Sequence, residues 1–178
     1  MSRNDWKGGY YEAAIVLGRG EGEGADERLR AALRTVWSRG DVERGFPMDA
    51  VHVHDGAHLR GALDLSARSV PFGTHVVREE NGDDWLSLGL PIGGLARLFP
   101  EAAGFPLQRD DDGRAWRKKV ERRLASMVID LARAVNVERA IIGYEVSGLS
   151  AHEAAGGGLA WLVRDGAELR YVPRTADR

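Results

Sequence analysis

The 178-residue chain contains no cysteine, which removes disulfides, cysteine-held metal centres and a thiol nucleophile in one step. Lysine is scarce, with three residues beside 22 arginines, and 25 basic against 27 acidic side chains leave a net charge of -2. That balance lacks the basic field of a nucleic-acid binder, so nucleic acid is not expected as a partner. No apolar run nears the ~18 residues needed to span a membrane, and residues 1–10 have no apolar segment after their charges. A cytoplasmic protein without membrane attachment is therefore expected. No nucleophile elbow, triad order, phosphate-binding loop or recognisable carboxylate pair occurs either.

What is present is an ordinary globular balance, 43% hydrophobic and 29% charged, in a length that suits one domain over residues 1–178. The strongest periodic signal lies in residues 114–135. Trp116, Val120, Leu124, Met127, Val128, Leu131 and Val135 recur at spacings of three and four and draw one stripe on a helix. Arg114, Arg117, Lys118, Lys119, Glu121, Arg122, Arg123, Asp130 and Arg133 are assigned to the outer side, with Ile129 projecting away from the stripe, and Asp110, Asp111 and Asp112 stand where acids suit a helix start. After Asn136 the period changes to two, with Ala140, Ile142, Tyr144 and Val146 facing one way.

Residues 10–17 read as a strand that is apolar in both of its alternating series, as a central strand would be. A glycine-rich loop follows, then a helix capped by Asp26 with Leu29, Ala32, Leu33, Val36 and Trp37 inward and a stop at Gly40. Residues 50–54 suggest a short strand, and residues 59–69 fit strand or helical turn. Runs at 74–80 and 85–90 flank Asn81-Gly82, and 159–164 and 167–172 flank Asp165-Gly166, two hairpin signals. The sum predicts an α+β fold: a single two-layer sandwich of a mainly antiparallel sheet with two principal helices on one face.

The segments 85–93 (WLSLGLPIG) and 142–148 (IGYEVSG), with the long helix opened by Trp116 between them, resemble uncharacterised proteins of GC-rich bacteria. The resemblance implies this order of elements and carries no catalytic residue.

Four groups of residues invite a function. His52, His54, Asp55 and His58 could converge on a metal from a strand end and the turn after it, although their order departs from the H-x-H-x-D-H pattern of metallo-β-lactamase-like hydrolases. His75 is expected on the apolar face of the first hairpin, in a register that sets it against Leu88 and Val77 against Leu86. Gly20, Gly22 and Ala25 match G-x-G-x-x-A between a strand and a helix, but Glu21 and Glu23 stand where a pyrophosphate would lie, so NAD and NADP are not expected and no cofactor is assigned. The basic side of the long helix reads as a solvated face.

The fourth group is the first hairpin tip, where Glu79 is expected opposite Asp84 with Glu80 and Asp83 just beyond. Like charges across a ladder weaken it, so folding alone gives no reason for the choice. Glu12 and Glu145, in otherwise apolar strands, are the remaining hints of buried acids. The chain is accordingly expected to be a non-enzymatic cytosolic interaction module, immunity- or inhibitor-like, binding a basic surface of another protein through Glu79, Glu80, Asp83 and Asp84. A second copy of the chain stays open as a partner. The alternative is a small metal-dependent hydrolase using His52, His54, Asp55 and His58.

Overall fold

The computed structural model describes residues 3–44, 46, 58–65, 68–79, 82–104, 111–147, 149 and 159–173. β1 (Tyr10–Arg19) is buried from Tyr11 to Gly18 because it lies inside the sheet and has packing on both faces. Tyr11, Ala13, Ile15 and Leu17 enter the main core, while Ala14 and Val16 enter a second cluster with Trp85, Ile141 and Val146. An uninterrupted apolar run is what such a strand requires.

Around β1 the chain builds α1 (Ala25–Trp37), β2 (Val42–Arg44), β3 (His58–Leu65), β4 (Arg68–Arg78), β5 (Asp83–Pro91), α2 (Ile92–Leu98), α3 (Asp111–Ala132), β6 (Arg139–Tyr144), β7 (Ala160–Asp165) and β8 (Glu168–Val172). The strands form one eight-stranded sheet in the order β2-β3-β4-β5-β1-β6-β7-β8, and every neighbouring pair is antiparallel. The fold is therefore α+β. Residues 59–65 resolve as strand, paired along its length with β4, which runs through residues 70–72 without a break. The strand suggested at 50–54 lies outside the described residues.

α1 starts after Gly24, whose φ of 90° is a left-handed conformation that suits glycine. Asp26 thus sits in the first turn and not at the cap, and its carboxylate accepts from Arg78 at 2.9 Å. The expected stripe on α3 is buried from Trp116 to Leu131. The helix ends at Ala132, three residues early, yet Val135 still packs against the core, its N–H bonded to the Leu131 carbonyl.

Two expectations for α3 are corrected. Glu121 is buried, because the Tyr11 hydroxyl donates to one of its oxygens at 2.5 Å and the Tyr171 hydroxyl approaches the other at 3.5 Å. Burial and this carboxylate push the Tyr171 phenol up to about 12. Ile129 packs against the main core instead of projecting away.

The first hairpin also differs in register. Val76 pairs with Leu86, Val77 with Trp85 and Arg78 with Asp84, and the Glu79 N–H donates to the Asp83 carbonyl. Residues 80–82 thus separate the paired ends, an odd number where a two- or four-residue loop was expected. One residue of slip exchanges the faces of a strand, so His75 leaves the apolar face and pairs with Ser87. The second hairpin turns over Gly166 and Ala167, one residue later than expected, with Asp165 opposite Glu168. In β6, Glu145 takes a φ of 45° after the strand ends, which resets the alternation and sends Val146 to the second cluster and not to the side of Ala140 and Ile142.

Leu124, with no exposed surface at mid-stripe, should be among the most sensitive core positions. Leu124→Ala is expected to cost about 2 to 5 kcal/mol in denaturant unfolding. A loss below about 1 kcal/mol would match an ordinary surface site and contradict the packing.

Candidate functional site

The register sets one row of side chains across five strands, Arg60 on β3, Gly73 on β4, Gly89 on β5, Glu12 on β1 and Gly143 on β6. The next row holds His58, His75, Ser87, Ala14 and Ile141. Alternation places both rows on the face opposite Tyr11, Ala13 and Ile15, whose cluster contains the helix residues. Trp6 and Tyr10 lean over the bare backbone of the glycines. A Cβ on Gly73 would stand 3.6 Å from the Trp6 ring, and one on Gly89 would stand 3.0 Å from that of Tyr10.

The result is a cleft of about 70 Å³ whose lining includes Trp6, Tyr10, Glu12, Arg60, His75 and Ser87. Arg60 lies over the Trp6 ring at 4.9 Å, and the exposed His58 ring stacks on His75 with centroids 4.0 Å apart and planes 15° from parallel. At the other end Glu12 is only 7% exposed and accepts the Ser147 N–H at 2.8 Å. The Ser147 hydroxyl is 2.5 Å from that of Ser87, which ties the turn after β6 to β5. Burial raises the Glu12 carboxyl above its ordinary value, the bonds from Ser147 oppose the rise, and the nearby charge of Glu145 adds to it. Glu145 itself is exposed, contrary to the hint of burial, beside the Tyr144 phenol, whose value is raised by burial and by Glu145.

Of the expected metal set, His52, His54 and Asp55 lie outside the described residues, and His58 lies against His75. Nitrogen lone pairs lie in the ring planes, so two nearly parallel stacked rings do not aim at a single ion. No group of three His, Cys, Asp or Glu side chains suited to a metal occurs among the described residues. The glycine-loop reading also lacks its setting. The strand that follows α1 is β2, at the sheet edge, so β1 and α1 do not open a parallel βαβ unit.

On the outer side of α3, Arg123 is tied to Asp41, and Asp130 to Arg39 and Arg133. Lys119 reaches the Phe99 ring at 5.7 Å. Part of the basic face is thus engaged in structure.

The hairpin tip is divided. Asp84 is fully buried, accepting from the Arg78 guanidinium at 2.7 and 3.1 Å, with Arg28 3.3 Å away. Glu79 is exposed and Asp83 half-buried, while Glu80 lies outside the described residues. The expected opposition of Glu79 to Asp84 does not occur, since Arg78 takes that place. The single cation Arg78 standing before four acids in 78–84 is a signal that a sequence reading could have weighed, because a hairpin with an odd loop pairs Arg78 with Asp84.

The chain matches no protein-family model, and no curated protein or solved structure matches it. No described helix is long and apolar enough to cross a membrane.

A carboxyl raised by burial contributes stability that is fully present below its unfolded value and is lost as pH rises through its folded value. Glu12→Gln keeps an acceptor for Ser147 and removes the buried charge. Its melting temperature should equal or exceed that of the wild type at pH 7, and the difference should vanish near about pH 4, by differential scanning calorimetry. A variant clearly less stable at pH 7 would show that the carboxylate form holds the turn.

Proposed function

We propose that this protein is a non-enzymatic cytosolic interaction module, immunity- or inhibitor-like, that meets a basic surface of another protein at the end of the sheet where the β4–β5 hairpin and the β1–α1 loop come together. The observation that supports this reading is the bond from the Gly20 N–H to the Gly82 carbonyl at 3.1 Å, which joins the two loops. Glu21 and Glu23, exposed on one, are thereby carried to the same end of the sheet as Glu79 and Asp83 on the other. Among the described residues none of these four carboxylates has an ion-pair partner, although Arg19 is the register neighbour of Asp83. Asp84 belongs to the same end in a different role. Its ion pairs with Arg78 and Arg28 neutralise the cations closest beneath the tip and fix the hairpin to α1.

Opposite potentials speed encounter and are screened by salt, so a surface of this kind acts mainly on association rate. We read the chain as one domain, and the presence of helix residues in only one of its two core clusters supports a two-layer arrangement with the helices on one face.

The reading predicts that a basic protein is captured stoichiometrically from the native host at low salt, and that capture weakens above about 0.15 M salt, where the Debye length is near 8 Å. Glu79→Lys with Asp83→Lys should slow association while leaving the melting temperature within a few degrees. Asp84→Asn, in contrast, should lower the melting temperature markedly because it removes the buried counter-charge that Arg78 and Arg28 share. Unchanged association of the double lysine variant at low salt would contradict the proposal.

A further inference from the structure

The carboxylates at the other end of the sheet set a separate problem. Glu12 is buried against the cleft, and the charge of Glu145 bears on it. No cationic side chain among the described residues forms an ion pair with either. Their neighbours are rings and hydroxyls: Tyr10 lines the cleft, Tyr144 touches Glu145, and Ser87 and Ser147 close the floor. Carboxylates beside aromatic faces in a recess are the chemistry that recognises organic cations. Arg60 and the imidazoles of His58 and His75 stand at the β3–β4 end of the cleft, away from β1. The recess thus has a polarity, acid at β1 and basic at β3.

We infer that this cleft is a binding site for a compact ammonium or guanidinium group, with Glu12 as the counter-charge and the Tyr10 ring as a wall. The size agrees, since about 70 Å³ accommodates the head of an amine and not a nucleotide. The site goes beyond the interaction surface proposed above. Gly89 lies six positions along β5 from Asp83, roughly 20 Å on an extended strand, so a hairpin-tip complex leaves the cleft open. A free amine and a lysine or arginine side chain offered by another protein present the same head. Binding favours the ionised form of Glu12, which links occupancy to pH. The titratable or charged groups facing it are Glu145 and Tyr144 beside the β6 end, Tyr10 on its own strand, His75 on β4, and His58 and Arg60 on β3.

The test is a calorimetric titration of the full chain with agmatine and with Nα-acetyl-lysine amide, using n-butanol and butyrate as controls. Saturable binding of at least one cation at neutral pH is expected, weakened by about tenfold or more in Glu12→Gln and on acidification. Agmatine binding identifies a free amine as sufficient, and binding of the capped lysine alone identifies a protein side chain as the source. Binding of neither cation, equal heats from butanol, or an undiminished affinity in Glu12→Gln would overturn the inference. If that variant fails to fold, the wild-type profile decides, because an affinity flat between about pH 4 and pH 7 would exclude Glu12 as the counter-charge.

Discussion

Because β1 lies between β5 and β6 and is packed above and below, every other element is positioned by what that strand can tolerate on each side. Its odd positions are apolar and take the helices. Its even positions begin with Tyr10 and Glu12 before becoming Ala14 and Val16, so one end of the opposite face is polar at the centre of the sheet. Glu12 has glycine on both sides, Gly89 beneath the Tyr10 ring in the cleft and Gly143 beneath Leu159 and Val146. The cleft lies over Gly73, Gly89 and Glu12, three residues in register.

Three buried carboxylates show how partners, and not burial, decide what an acid does. Asp84 has two guanidinium groups and anchors a hairpin to α1. Glu121 has two tyrosine hydroxyls and joins α3 to β1 and β8. Glu12 has the backbone N–H groups of Val146 and Ser147, the Ser147 hydroxyl and a repelling neighbour, and its surroundings raise its carboxyl. Burial without a counter-ion favours the neutral acid, whereas a guanidinium partner stabilises the charge. The first two acids are spent on structure, while Glu12 keeps a capacity to bind.

Much of the core was legible in the sequence because it depends on local periodicity. The α3 stripe, the inward residues of α1 and the double-sided β1 follow from spacings alone. What escaped depends on parity and distance. The pairing of Arg78 with Asp84 sets β4 one position from the expected register with β5, which moves His75 from the core to the cleft. Glu121 reads as outward on a helical wheel, yet Tyr171, 50 residues away, lies within reach of it. His58 was legible as chemistry but its neighbour was not, since the pairing with His75 is made only when β3 meets β4. The acidic tip was visible as a cluster, whereas the separation of Asp84 from Glu79 and Asp83 required the register.

The claim on which the cleft depends is that Glu12 is a buried carboxyl held against Ser147 with no counter-ion among the described residues. A carbon-13 NMR titration of its side-chain carboxyl measures this directly. The midpoint should lie above the ordinary 4.5, and the Ser147 amide should shift along the same curve. A midpoint at or below 4.5, or a Ser147 amide that ignores it, would contradict the account.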